Sequence, residues 1–106
     1  MAQLGIVLVT AGSETEAKLI ASALVESNLA ACVNIFPVQS VYRWQGEICQ
    51  DLECQLTDLA LFSTLEAKVR ALHSYEVPEI IAIALTDGSP PYLSWLQAQV
   101  GKIISG

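Results

Sequence analysis

The chain has 106 residues, which we expect to form one domain, 1–106, and it is acidic, with 11 Asp and Glu against 5 Lys and Arg and a formal net charge of −6. This balance argues against nucleic acid as a partner, because binding to phosphates depends on Lys and Arg. Hydrophobic residues make up 53%, yet no apolar run approaches the ~20 residues of a transmembrane helix. The apolar surplus predicts burial between subunits.

The N-terminal region and the cysteines predict a cytoplasmic protein. No basic residue precedes an apolar segment near Met1, so we expect no secretory signal. The chain has three cysteines, Cys32, Cys49 and Cys54. An odd number of cysteines without an export signal is typical of free thiols in a reducing compartment. Cys49 and Cys54 are five positions apart, so in one regular strand they would point to opposite faces.

The first elements in chain order are a strand and a helix. Residues 4–10 are mostly apolar and β-branched, which predicts a buried strand. Ser13 and Glu16 have the spacing of a capping box, in which Glu16 reaches back to Ser13. A helix to about Asn28 should follow and bury the residues that recur at helical spacing, which are Ala17, Ile20, Ala21 and Leu24.

A long β-hairpin should come next. Residues 29–36 read as a strand, Pro37 predicts a bulge or bend, and residues 38–44 continue the strand to a turn at Gln45-Gly46. The return strand is 47–56. At ~3.3 Å per residue the hairpin extends more than ~20 Å beyond Pro37, and an isolated ribbon is marginal in water. We expect it to pack on another subunit; the alternative is that it folds back over its own helices.

The second half of the chain predicts a helix, a strand and a short helix. The first helix should begin at Thr57 or Asp58 and end near Leu72, and the strand should span 77–85. A helix capped by Ser89 then runs from Pro91 to about Val100, and residues 101–106 add a short strand or lie across a neighbouring chain. This order predicts an α+β, ferredoxin-like βαββαβ sandwich with an extended hairpin.

Residues 72–81 concentrate polar groups where a helix gives way to a strand. They include the only histidine, His73, together with Tyr75, Glu76 and Glu79. Pro78 explains the change of structure, since the residue before a proline is kept out of the helical region. Such groups are placed to face a ligand, but one histidine near two acids is a weak signal. The alternative is that His73 caps helix carbonyls and Tyr75 is packed in the protein interior.

Three short stretches carry a combined signature: residues 29–35 (Leu-Ala-Ala-Cys-Val-Asn-Ile), 42–46 (Tyr-Arg-Trp-Gln-Gly) and 72–80 (Leu-His-Ser-Tyr-Glu-Val-Pro-Glu-Ile). In this order they resemble the CutA family of divalent-cation tolerance proteins, and residues 92–96 resemble the family's C-terminal helix. The resemblance implies a ferredoxin-like subunit, a tight homotrimer and a cytoplasmic role in tolerance of, or response to, copper and other divalent cations.

The resemblance also implies site residues. Cys32 and His73 occupy motif positions, and a thiolate and an imidazole suit copper, so they are candidate ligands of Cu²⁺ or another divalent cation. Tyr75, Glu76 and Trp44 are candidates for lining a ligand cleft between subunits. For Cys32 the alternative is a small hydrophobic residue in a buried strand.

Two features depart from the family pattern. Ser74 stands where the family usually has proline. The return strand of the hairpin is about three residues short before Thr57. If Trp44 pairs with Glu47, Asn34 pairs with Thr57, and residues 30–33 then lack a partner; the expected consequence is a shorter strand or an unwound first helical turn.

Three functions follow in order of preference. The first is a non-enzymatic trimer that binds copper, another divalent cation or a small ligand. A second is an enzyme that uses His73 as a base oriented by Glu76, although no catalytic motif supports it. The third is a structural or signalling trimer without metal binding, similar to the nitrogen-regulatory signal proteins.

Overall fold

The computed structural model describes residues 4–60 and 62–100, so the predicted tail at 101–106 lies outside the described residues. Four strands form one antiparallel sheet in the order β2-β3-β1-β4. The elements are β1 (Gly5–Ala11), α1 (Glu14–Glu26), β2 (Ala30–Trp44), β3 (Glu47–Ala60), α2 (Phe62–Leu72), β4 (Ile80–Ala84) and α3 (Pro90–Gln99). The predicted α+β class and ferredoxin-like order of elements are confirmed.

The hydrophobic core lies between α1, α2 and one face of the sheet. Alternate residues of β1 point into it, because successive side chains of a strand face opposite ways. The fully buried side chains of this core include Val7, Val9, Ile20, Leu24, Leu56, Leu65 and Val69. The four α1 residues predicted to be buried are all buried. The opposite face of the sheet is called the open face below.

Helix α1 begins at a side-chain cap and ends in a left-handed residue. The Ser13 hydroxyl accepts a hydrogen bond from the Glu16 amide at 3.1 Å, which is half of the predicted capping box. At the other end Asn28 has φ 61°, a conformation that asparagine tolerates better than most residues, and the Leu29 amide donates to the Leu24 carbonyl.

The hairpin of β2 and β3 is continuous, and the predicted irregularity at Pro37 is wrong. Pro37 pairs in register with Cys54, and the register shift lies instead between Ala30 and Cys32. Because β2 is an edge strand, a proline nitrogen turned away from the ladder costs no hydrogen bond there. Residues 38–53 pair only with each other, beyond the end of β1, and this segment is called the arm.

The predicted start of the second helix at Thr57 or Asp58 is also wrong. The register that joins Trp44 to Glu47 and Asn34 to Thr57 is confirmed, but β3 continues to Ala60 and gives partners to Val33, Cys32 and Ala30. Residues 57–60 lie between β2 and β1 and pair with both. Backbone hydrogen bonds to two neighbouring strands stabilise residues 57–60 more than one helical turn would. The missing residues therefore shorten α2 and not β3.

Strand β4 begins at Ile80, three positions later than predicted, and α3 begins at Pro90 and ends at Gln99. Residues 77–79 therefore leave the sheet, and Val77 is 68% exposed. In α3, Leu96 is fully buried while Tyr92 and Trp95 remain nearly half exposed. The linker from His73 to Glu79 is thus free to lie across the base of the arm.

The arm makes the molecule long. Its extents are 44 × 29 × 21 Å and its radius of gyration is 14.5 Å, whereas about 13 Å is expected for a compact domain of this size. Several apolar side chains of the arm are exposed, including Val41, Ile48 and Leu52. Among residues 4–60 and 62–100, no helix has the length and apolar character needed to cross a membrane.

Candidate functional site

A cavity of about 820 Å³ lies between the arm and the linker from α2 to β4. Its walls combine aromatic, acidic and small polar or apolar side chains: Thr10, Gln39, Ser40, Val41, Tyr42, Trp44, Glu53, Tyr75, Glu76, Val77 and Glu79. Trp44, Tyr75 and Glu76, which the sequence predicts as ligand-binding residues, all line it. Their role in binding stays a prediction.

Glu53 and Tyr75 form the most buried polar contact of the cavity. Glu53 lies on β3 and is only 6% exposed, and its Oε2 accepts a hydrogen bond from the Tyr75 hydroxyl at 2.5 Å. Burial, this hydrogen bond and the charge of Glu53 all raise the pKa of Tyr75 above its usual value. The tyrosine therefore remains a donor, and it fixes the carboxylate at the inner end of the cavity.

Two further hydroxyl groups, those of Thr10 and Tyr42, donate hydrogen bonds to carboxylates near the cavity. Thr10 is 7% exposed, and its hydroxyl donates to Glu79, just before β4. On the arm, the Tyr42 hydroxyl donates to Asp51, and this bond, followed by desolvation and the charge of Asp51, raises the pKa of Tyr42 to about 12. The acids of this region are thus oriented by neutral donors.

Both nitrogens of the His73 ring are engaged. Nε2 lies 2.7 Å from the Thr10 carbonyl, and Nδ1 lies 3.0 Å from the Tyr75 amide. The neutral tautomer with its proton on Nε2 satisfies both contacts. The side chain has 0% exposure. His73 therefore ties the linker to β1, and coordination of a metal at either nitrogen requires the loss of one of these hydrogen bonds.

Glu16 joins the start of α1 to the linker, a role that the sequence did not reveal. Its carboxylate accepts hydrogen bonds from the Ser74 amide at 2.7 Å and the Ser74 hydroxyl at 3.0 Å, and it lies 3.6 Å from His73 Nδ1. Desolvation raises the pKa of Glu16, but the hydrogen bonds from the Ser74 amide, the Ser74 hydroxyl and the Gly12 backbone outweigh it, so the pKa is lowered overall.

Gly12 allows the close approach of the Tyr75 ring. A Cβ at this position would lie 3.0 Å from the Tyr75 hydroxyl oxygen and 3.2 Å from a ring carbon. The glycine follows β1 directly, so the end of that strand can pass under the ring. A larger residue here would push Tyr75 away from Glu53.

Cys32 and His73 are not brought together within one chain. Cys32 pairs with Leu59, which pairs with Ile6 of β1, whereas His73 contacts Thr10 of the same strand. From Ile6 to Thr10 is ~13 Å along the strand, and two strand spacings add ~10 Å laterally. Among the described residues, no cluster of three or more His, Cys, Asp or Glu side chains could hold a metal ion. The assignment of either residue as a ligand stays a prediction.

The carboxylate beside His73 is Glu16 rather than Glu76, which the enzymatic hypothesis had paired with it. Glu53 was missed because nothing local marks it, and Glu16 was predicted only as part of the capping box of α1, not as a partner of Ser74. One available signal was strand alternation, since Glu53 lies opposite Val38 and shares a face with Tyr42 and Trp44.

Comparisons with known proteins agree on one family. The family model described as "CutA1 divalent ion tolerance protein" matches residues 5–99. The divalent-cation tolerance protein CutA of Thermus thermophilus is 49% identical over 100 residues, which cover 91% of this chain and 97% of that protein. That alignment is longer than the part of this chain it covers, so the relative carries a few residues that are lacking here.

The mouse protein CutA is 45% identical over 101 residues, 92% of this chain, but this chain spans only 56% of its length. The solved structure of the Thermus thermophilus protein has a TM-score of 0.89 at 47% identity, with 92% of this chain and 99% of that chain covered. A structure from Archaeoglobus fulgidus, described as a periplasmic divalent cation tolerance protein CutA, has a TM-score of 0.88 at 36% identity, with coverage of 91% and 97%. This chain belongs to the CutA1 family of divalent ion tolerance proteins.

Proposed function

We propose that this protein acts in the response to divalent metal ions as a cytoplasmic homotrimer that binds a divalent cation or a small ligand in the cavity beneath the arm. The relatives named above supply the link to divalent cations. The observation that carries the proposal is the cavity itself, where Glu53 and Glu76 lie with Tyr75 and Trp44 around about 820 Å³ of space. Carboxylate oxygens are suitable ligands for hard divalent cations.

The proposal includes no catalytic step. His73 is buried with both ring nitrogens hydrogen-bonded, so it has no free lone pair with which to act as a base. Its role in the proposal is to hold the linker, and with it Tyr75, against the end of β1. Binding, rather than turnover, is the activity that this arrangement supports best.

Titration of the protein with Mn²⁺ and with Cu²⁺ by calorimetry tests the proposal. We expect Glu53→Gln to weaken binding by ~10-fold or more, because it removes a charged oxygen ligand but keeps an acceptor for Tyr75. The control is Glu26→Gln, an exposed acid on α1, which should leave the affinity unchanged.

The same titration distinguishes the cavity from the predicted ligands His73 and Cys32. If Cys32→Ser and His73→Ala abolish Cu²⁺ binding while Glu53→Gln and Glu76→Gln retain it, the cation is held outside the cavity and the proposal is wrong. Circular dichroism of each variant checks that it is folded, because the His73 side chain is fully buried.

A further inference from the structure

The ionisable side chains that line the cavity are all acidic or phenolic. The acids are Glu53, Glu76 and Glu79, and within the described part of the chain no Lys, Arg or His contributes to the lining. Their formal charge is −3. A concave surface of one charge raises the local concentration of the opposite ion, so the cavity favours cationic ligands and disfavours anions.

Aromatic rings form a large part of the same walls. Tyr42 and Trp44 come from the arm and Tyr75 from the linker. Trp44 is 42% exposed and Tyr42 is 38% exposed in the single chain, so each leaves ring surface that its own chain does not cover. An aromatic face attracts a cation, most strongly in the case of tryptophan, and it also offers apolar contact to carbon atoms bonded to that cation.

Glu53 retains a buried acceptor without a partner. Its Oε2 is occupied by Tyr75, but no hydrogen bond to Oε1 occurs among the described residues, although the residue is 6% exposed. A buried acceptor left unsatisfied costs free energy that a bound donor or cation can recover. The open oxygen therefore indicates where the charge of a ligand should lie.

The size of the cavity favours a molecule over a bare ion. About 820 Å³ is within the range of pockets that hold small organic ligands. The described residues also provide no group of three side chains with the geometry of a metal site. A metal ion would use the carboxylates but not the aromatic walls.

We propose that the ligand of this cavity is a small organic cation, an amine or alkylated ammonium compound with apolar substituents. Its charged nitrogen lies near Glu53, and its carbon atoms contact Trp44 and Tyr42. This inference rests on the proposed function, in which the same cavity is the binding site, and it names the chemical class that the site selects.

Choline and its uncharged isostere 3,3-dimethylbutan-1-ol are the probes that test the proposal by calorimetry on the full chain. The two have nearly the same shape, so they differ chiefly in charge. We expect choline to bind and the isostere to bind at least ~10-fold more weakly. Equal affinity for the two overturns the proposal, because the cavity would then be selecting only apolar shape.

Matched variants locate the site. Trp44→Leu should weaken choline binding about 10-fold, whereas Trp95→Leu should not, since Trp95 is similarly exposed, at 44% against 42%, but lies on α3 outside the cavity. Glu53→Gln should weaken binding and Glu26→Gln should not. If Glu53→Gln fails to fold, the exposed Glu76→Gln replaces it. Unchanged choline affinity in both Trp44→Leu and the acid variant overturns the proposal.

A parallel titration with Mn²⁺ separates this inference from the function on which it rests. If Mn²⁺ binds in a manner that depends on Glu53 while choline does not bind, the organic-cation inference is overturned and the cavity remains a cation site. If neither probe binds, both proposals are overturned. Choline binding that requires Trp44 and an acid of the cavity supports both.

Discussion

Tyr75 connects three parts of the molecule through one side chain and one amide. Its hydroxyl donates to Glu53 on β3, its amide donates to His73, and its ring lies against Gly12 at the end of β1. The linker is otherwise irregular, so these contacts determine where the cavity wall stands. A residue with this many partners should affect stability as well as binding.

Replacement of Tyr75 by Phe should lower the free energy of unfolding at pH 7 by about 1.5–3 kcal/mol, because Glu53 loses a buried donor. The pKa of Tyr75 is raised in the folded state. Its contribution to the free energy of unfolding is therefore complete below the unfolded-state pKa of ~10, and it is lost as the pH rises through the folded-state pKa. Urea titrations from pH 8 to 11 should therefore show a smaller alkaline loss in Tyr75→Phe. Tyr92→Phe is the control, and the same result in both would contradict the assignment.

Glu16 should control stability at the acid end. Its pKa is lowered in the folded state, so its contribution is present above the unfolded value of ~4.5 and is lost as the pH falls through the folded value. We expect Glu16→Gln to cost about 1–2 kcal/mol at pH 7 and to flatten the decline in stability below pH ~5. Glu14→Gln is the control, since its ion pair with Lys18 is exposed; an equal effect of both changes would argue against the role of Glu16.

Site residues that are close together in the sequence could be predicted, whereas those that are far apart in the sequence could not. His73, Tyr75 and Glu76 stand within four positions of one another, so their placement beside one cavity wall follows from the chain itself. The partners of that segment are remote, since Glu16 is 58 positions from Ser74 and Glu53 is 22 positions from Tyr75. Such contacts depend on sheet order and register, and a single sequence contains no local signal for them.

At the scale of elements, the arm depends on its turn. Gln45 has φ 51° and Gly46 has φ 84°, and they lie between the paired residues Trp44 and Glu47. Positive φ at both central residues is the type I′ hairpin turn, which matches the twist of the strands. Glycine adopts this conformation without strain. Glutamine is sterically strained in it, and asparagine is less strained than glutamine.

Gln45→Asn should therefore stabilise the protein by about 0.5–1 kcal/mol, observed as a higher denaturation midpoint at fixed protein concentration. The control is Gln50→Asn, in the extended part of β3, where asparagine is disfavoured and no gain is expected. If Gln50→Asn also stabilises the protein, or if Gln45→Asn does not, the turn conformation at Gln45 is not a source of strain.

The boundary between β3 and α2 shows why this part of the fold could not be predicted from the sequence. Thr57 and Asp58 are good helix caps, and they read as such on local grounds. Their position between β2 and β1 decides otherwise, because a central strand segment gains ladder bonds on both sides. Propensity was overruled by tertiary pairing, whereas α1, whose periodicity and cap agree, followed the sequence.

For the whole molecule, the open face of the sheet is a surface with several exposed apolar side chains. The helices α1 and α2 cover the other face, and on the open face Phe36, Ile81 and Ile83 are 45%, 50% and 51% exposed. The arm adds further apolar exposure. Apolar area of this extent in one small chain is typical of a surface that is covered by association.

The proposed trimer predicts that this surface is buried between copies of the chain. Sedimentation equilibrium at micromolar concentration should give a mass three times the 11.4 kDa of one chain. The double change Ile81→Lys and Ile83→Lys should weaken association by at least ~100-fold, because two charges would be placed in an apolar contact. Leu19→Lys is the control, since Leu19 is 55% exposed on α1, away from the open face. A wild-type protein that sediments as a folded single chain would remove the basis of the trimer, and the cavity would then have to bind its ligand with the arm exposed.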